Sequence, residues 1–247
     1  RFYLPLLTVV ISSTLCFSQK TLLNNKEIDP VDLVNPLMGT DSKYELSNGN
    51  TYPAIGLPWG MNLWTPQTNK NGNGWQYQYS ADKIRGLKQT HQPSPWMNDY
   101  GQFSLLPTTG KVIFDEEKRA SWFSHKTETV KPYYYSVYLA DYDVVSEIAP
   151  TERAAIFKIT YNKTDQANVV IDAFDKGSYI QYIPEANQII GYSTRYARGK
   201  LINFKNYFVI QFDEKIKDVH VFDDGKEINK NETLSNHAGI VVSFGKQ

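Results

Sequence analysis

Ala154-Ala155-Ile156-Phe157-Lys158-Ile159-Thr160-Tyr161, the turn Asn162-Lys163-Thr164-Asp165, and Val169-Val170-Ile171-Asp172-Ala173-Phe174 form the stretch on which the fold class turns. Both runs are dominated by β-branched and aromatic side chains, and both are too short for a typical helix. The four residues before Gln166 are turn formers. Working outward, residues 133–139, 207–212 and 240–244 have the same texture, and Asp223-Asp224-Gly225-Lys226 is another charged turn. Residues 103–106 and 111–114 flank Pro107-Thr108-Thr109-Gly110 and read as a hairpin. No stretch of a dozen residues sustains apolar spacing at i, i+3, i+4, i+7, so helices should be few. Many short strands without a βαβ rhythm predict an all-β fold, an antiparallel β-sandwich.

The ends and the first third read differently. Residues 1–18 have a cationic start, an apolar run from Phe2 to Phe17, and small residues at the close, the pattern of a secretory signal peptide. Cys16-Phe17-Ser18 offers a small-x-small cleavage site. A lipoprotein acylated at Cys16 is the alternative, disfavoured by the bulky Leu15. The chain is therefore expected to be exported, to the periplasm or the cell surface, with no transmembrane segment once the leader is removed. Opening without Met and stopping just after a strand-like run, it reads as a fragment at both ends. Residues 19–34 form an N-terminal extension, and 35–247 one domain without repeats or linkers. From 35 to 100 the chain is rich in Gly, Pro, Asn, Trp and Tyr. Within it Gly74-Trp75-Gln76-Tyr77-Gln78-Tyr79 reads as an alternating edge strand, with a ligand platform as the rival.

Charge and composition narrow the function. Lys+Arg 26 balances Asp+Glu 26, with no basic block, which excludes a nucleic-acid binder. With 41% hydrophobic and 21% charged residues the chain is not disordered. A single cysteine excludes a disulfide scaffold and any Cys-based zinc site. No G-x-S-x-G, HExxH, Walker A or dinucleotide fingerprint is present. Asp41/Glu45 and Asp141/Asp143 are conceivable calcium ligands, though turn formation explains them more simply. Glu45, Asp99, Glu147 and Glu152 are isolated carboxylates whose spacing does not tell whether any two face each other. Asp115-Glu116-Glu117 reads as a solvated turn.

The densest chemistry lies at 89–101, Gln89-Thr90-His91-Gln92-Pro93-Ser94-Pro95-Trp96-Met97-Asn98-Asp99-Tyr100-Gly101. Two prolines forbid a regular helix there. A stiffened loop with His, Trp, Asn, Asp and Tyr suits a polyhydroxylated ligand, whose C–H faces lie on rings while its hydroxyls bond to carboxylate and amide. A loop that plugs the sandwich edge, with Asp99 capping amides, accounts for the same residues.

Val34-Asn35-Pro36-Leu37-Met38-Gly39-Thr40 resembles the opening motif of glycoside hydrolase family 92, the calcium-dependent α-mannosidases. The resemblance continues in the family's order through Tyr52-Pro53-Ala54, Pro58-Trp59-Gly60-Met61, Thr65-Pro66, Thr90-His91, Asp99-Tyr100-Gly101, residues 106–110 and the T-x-R strand at Thr151-Glu152-Arg153. Beyond Asn162 it is looser. It implies that this β-sandwich packs against a C-terminal (α/α)6 barrel of the same polypeptide. It also implies an inverting glycosidase with an acid, a base and most calcium ligands in that missing half.

No catalytic residue and no metal ligand is therefore carried over to this chain. What the resemblance leaves to the sandwich is a set of substrate contacts, placed on Trp75, His91, Trp96, Asp99 and Tyr100. Asn50-Thr51-Tyr52 departs from the family's commoner His before Thr-Phe-Pro, which leaves linkage open, with α-1,2 the expectation. The predicted function is the substrate-contacting domain of an exported exo-α-mannosidase that acts on mannose-containing glycans such as N-glycan branches. Alone it should be inactive. A free-standing carbohydrate-binding module is the alternative.

Overall fold

Thr65, Lys88, Ser104, Asp172, Gly239 and Phe222 lie side by side in one row across six paired strands, and this row orients the molecule. The coordinates are a computed structural model that describes residues 28–41, 51–91, 99–196 and 201–245. The leader at 1–18, most of the extension, Glu45, and residues 92–98 with Trp96 lie outside the described residues.

Strands are numbered in chain order. Seven form one antiparallel sheet in the order β1 (Leu63–Gln67), β3 (Gly86–Thr90), β4 (Ser104–Thr109), β10 (Ala167–Asp172), β17 (Ala238–Ser243), β14 (Asp218–Asp223), β15 (Lys226–Ile228). One four-stranded sheet contains β6 (Glu128–Lys131), β7 (Tyr134–Leu139), β8 (Val144–Pro150) and β9 (Ala155–Tyr161). A second four-stranded sheet runs β13 (Asn206–Gln211), β12 (Gln188–Ser193), β11 (Ser178–Ile183), β16 (Glu232–Ser235). A short pair joins β2 (Lys83–Ile84) to β5 (Ser121–Trp122). Among the described residues there is no α-helix, only short 3-10 turns. The expected antiparallel sandwich is what forms.

The large sheet has two unlike faces. One carries Trp64, Leu87, Leu105, Val169, Ile171, Ile240, Val242 and Val221, all buried. Trp64 meets Phe157 of β9 edge-on at 4.9 Å and Phe103 at 5.5 Å, and Phe103 stacks on Phe208 of β13 at 4.3 Å. Both four-stranded sheets therefore cover this face, and the apolar core lies between the layers. The opposite face holds the polar row. Loops cover it: Phe114 lies against the backbone of Gly239 and stacks on Phe222 at 4.7 Å, and Phe174 lies under the Lys88 ammonium at 5.0 Å.

Some local expectations are corrected. Residues 107–109 do not turn; they continue β4, and the chain turns only at Gly110, which has φ +79°. Residues 111–114 form no strand, because the chain crosses the polar face instead of pairing back. Pro107 is tolerated because β4 pairs with β3 only at Ser104 and Leu105, so no partner strand needs its missing N–H. Residues 74–79 are not an edge strand but irregular chain, with Gln76 and Tyr77 turned inward. Asp115-Glu116-Glu117 is only partly a solvated turn. Glu116 points in and accepts from Gln67 Nε2 at 2.6 Å and the Asn71 amide at 2.7 Å.

Candidate functional site

Strand β3 ends and β4 begins at one edge of the large sheet, and the loop between them returns through Asp99. Its carboxylate is fully buried and takes five kinds of donor. Thr90 Oγ1 donates at 2.6 Å, Gln102 Nε2 and the Tyr100 amide at 2.8 Å, the His91 amide at 3.1 Å and Gln76 Nε2 at 3.3 Å. Thr90 spends its one proton on Asp99, so the Tyr52 hydroxyl, 2.6 Å from it, must donate to Thr90. Burial and the Asp99 charge push the Tyr52 phenol well above its ordinary value, which keeps that proton in place. The Tyr52 hydroxyl is what joins this loop to the network.

The Asp99 knot sets the two residues at its mouth. His91 Nδ1 is 2.8 Å from the Tyr100 carbonyl, which can only accept, so the proton sits on Nδ1. In the neutral ring Nε2 is left as an acceptor without a protein partner among the described residues. The His91 and Tyr100 rings stack at 4.9 Å. Phe204 meets Tyr100 edge-on at 5.7 Å and Tyr196 lies 6.4 Å away. The result is an aromatic wall with an imidazole nitrogen and a phenol on it.

Sequence reasoning missed the other side of this rim. Asn206 Nδ2 donates to Gln89 Oε1 at 2.9 Å, Gln89 Nε2 to Asn62 Oδ1 at 3.1 Å, and Asn62 Nδ2 to the Ala154 carbonyl at 2.6 Å. This line of amides ties the wall to the loop at 57–61 and to the turn at 151–154. Trp59 occupies the third position of a turn closed by the Gly60 amide on the Leu57 carbonyl at 3.0 Å. Its φ is +63° and its side chain is wholly exposed. Pro58 before it fits a type II turn, whose third position favours glycine. A left-handed conformation costs a larger residue about 1–2 kcal/mol.

The predicted contacts distribute as follows. His91 and Tyr100 stand together on the rim, and Asp99 beneath them is turned inward to hold them. Trp75 is half-buried in the loop over the polar face, its carbonyl taking Asn69 Nδ2 at 2.5 Å. Its neighbour Gln76 reaches Asp99, so Trp75 belongs to the same knot of chain. Trp96 lies outside the described residues. Of the isolated carboxylates, Glu147 is on the outer face of β8, bonded to the Tyr134 hydroxyl at 2.6 Å and paired with Lys158 at 3.0 Å.

No group of three or more His, Cys, Asp or Glu converges on a possible metal site among the described residues. Asp41 accepts from the Ser80 amide, Asp141 from the Trp122 amide, and Asp143 from Tyr138 and Asn162, all as turn formers. The described residues do not fit a calcium ion.

Beneath the loops the polar row contains two further arrangements. Arg119 Nη2 and His237 Nε2 each reach the Asp172 carboxylate at 2.7 Å. Burial alone would raise the Asp172 pKa, but the two cations hold it far below the carboxylate range. Lys88 is fully buried with no ion-pair partner among the described residues, and burial drives its pKa down to about 7 despite Asp99 nearby. Arg195 is buried as well and pairs with Asp175.

Comparison with known proteins decides the family. The profile of the glycosyl hydrolase family 92 N-terminal domain matches residues 33–247. The chain belongs to glycoside hydrolase family 92. Among solved structures, a family 92 inverting mannosidase from Bacteroides thetaiotaomicron is 38% identical, with a TM-score of 0.84 over 89% of this chain. A family 92 α-mannosidase from the same organism is 26% identical over 87%, with a TM-score of 0.75. That α-mannosidase has also been solved with mannoimidazole, where it superposes on this domain with a TM-score of 0.74. This family 92 chain spans only 30–31% of the length of these proteins. No curated protein matches it. Among the described residues no helix is long and apolar enough to cross a membrane.

Proposed function

We propose that this domain is the substrate-contacting N-terminal part of an exported, inverting exo-α-mannosidase acting on mannose-containing glycans. The observation that carries the reading is the Asp99 knot. A fully buried carboxylate with five kinds of donor is an expensive device unless the two rings it holds at the surface are needed there. His91 Nε2 accepts a sugar hydroxyl, the Tyr100 hydroxyl donates to another, and the wall of Tyr100, Phe204 and Tyr196 takes the C–H face. Trp75 and Trp96 are the further sugar contacts that the sequence leads us to expect. The 38% identity to an inverting mannosidase supports the same substrate class.

The chemical step belongs to the rest of the polypeptide, an (α/α)6 barrel that brings the general acid and the base. Calcium, expected from the family, is held there too. The linkage is α-1,2, and the enzyme works in the periplasm or at the cell surface. In the complete enzyme, His91→Ala and Tyr100→Ala each lower kcat/KM for an α-mannoside about threefold to tenfold, the worth of one hydrogen bond. Unchanged kinetics in both, and in Trp96→Ala, would leave the rim a structural plug.

A further inference from the structure

We propose that Trp59 is a second sugar-stacking position on the same rim, taking a further unit of an oligosaccharide whose terminal mannose lies at His91 and Tyr100. The inference rests on the mannosidase reading above and extends it from one sugar to at least two.

Three observations carry it. The Trp59 indole is 100% exposed, so the described fold gains no packing from it, yet it stands where a glycine would be unstrained. The turn that presents it is fastened, with the Met61 amide donating to the Glu152 carbonyl at 2.8 Å and Asn62 donating to Ala154. The indole is therefore held out from a fixed base. Finally, Leu63 pairs with Thr90, so this turn enters β1 at the level where β3 ends, one residue before His91. The amide line from Asn206 through Gln89 to Asn62 spans the space between the two.

The neighbours favour a sugar over an apolar protein surface. Glu152 and Arg153 are exposed beside the turn, as is Met61, while the Asn62 amide is buried and holds the turn to Ala154 and Trp64. An aromatic face flanked by the exposed Glu152 and Arg153 offers partners for both halves of a sugar, its C–H face and its hydroxyls. A buried apolar interface would leave those charges without water.

The test compares two substrates in the complete polypeptide. Trp59→Gly should lower kcat/KM for a linear α-mannotetraose about threefold to tenfold, the loss expected for one aromatic stacking contact. It should change kcat/KM for a single-sugar aryl α-mannoside less than about twofold. The melting temperature should stay level or rise, because glycine relieves the left-handed turn. Trp59→Phe should keep most of the tetraose activity. Equal loss on both substrates, or no loss on either, overturns the proposal. A fall in melting temperature with both substrates affected alike also overturns it, assigning the indole to packing against another part of the polypeptide. Failure of the parent reading looks different: the wild type then hydrolyses neither substrate, and the second sugar position falls with it.

Discussion

Lys88 shows how one side chain sets a property of the whole domain. Its ammonium is buried over Phe174 without an ion-pair partner among the described residues, and burial holds its pKa at about 7 against an ordinary 10.5. The unfolded chain therefore binds the extra proton between those two values while the folded chain does not, so Lys88 makes stability rise with pH across that window. Below about pH 7 both states are charged and the full cost of burying the cation is present. Lys88→Met, similar in volume, should abolish this slope. We expect the variant to be more stable than wild type by a few kcal/mol near pH 6 and about equal to it near pH 10, read from melting temperature against pH. His237 acts in the opposite direction. Burial lowers its pKa, but the Asp172 carboxylate more than reverses that and raises it above 6.5. Its contribution is fully present below the unfolded value and is lost as pH rises through the folded one. His237→Gln should therefore cost more melting temperature near pH 5 than near pH 9.

At the scale of elements, the strands divide by what they face. Strands β7 and β9 are legible because one side meets apolar core and the other water, so their sequences alternate. Residues 63–67 and 86–90 were not read as strands, although they form β1 and β3. Their second face meets the buried polar layer, so Thr65, Gln67, Lys88 and Thr90 are polar yet buried. Neither periodicity nor composition distinguishes such a strand from a loop. The turn at 223–226 is legible from Asp224-Gly225, both with positive φ, and the structure makes it the tip of the β14–β15 hairpin. Strand β17 depends on a glycine for a different reason. The Phe114 ring lies directly on Gly239, where a side chain would displace it. Gly239→Val should destabilise by about 1–3 kcal/mol through overpacking, and Phe114→Ala in the same background should reduce that difference in a denaturant-melt cycle.

For the whole molecule, the candidate site is built from segments far apart in sequence. Asn206 and Gln89 bond across 117 positions, and Asn62 and Ala154 across 92. The loop 89–101 was legible as chemistry because His, Trp, Asp and Tyr crowd together there. Tyr196, Phe204 and the Asn62 turn carried no such local signal, since each is unremarkable until folding brings it to the rim. The family 92 domain has one large sheet whose apolar face is covered by two smaller sheets, and no group of three or more metal-ligating side chains converges among its described residues. We expect this chain alone to fold with a single transition yet to hydrolyse no α-mannoside. Measurable turnover of an aryl α-mannoside by the isolated chain would place an acid and a base within it.

The sequence by itself determined the fold class, the neutral surface chemistry and the family. Those follow from composition, from period-two alternation and from ordered short motifs, which are properties of neighbours along the chain. Only the tertiary structure decided that Asp99 and Glu116 point inward, that Lys88 is buried, and that Trp59 is wholly exposed on the turn before β1. Burial and convergence depend on which distant segments cover a residue. In this domain a polar sheet face covered by loops reverses the usual rule that polar side chains point to water.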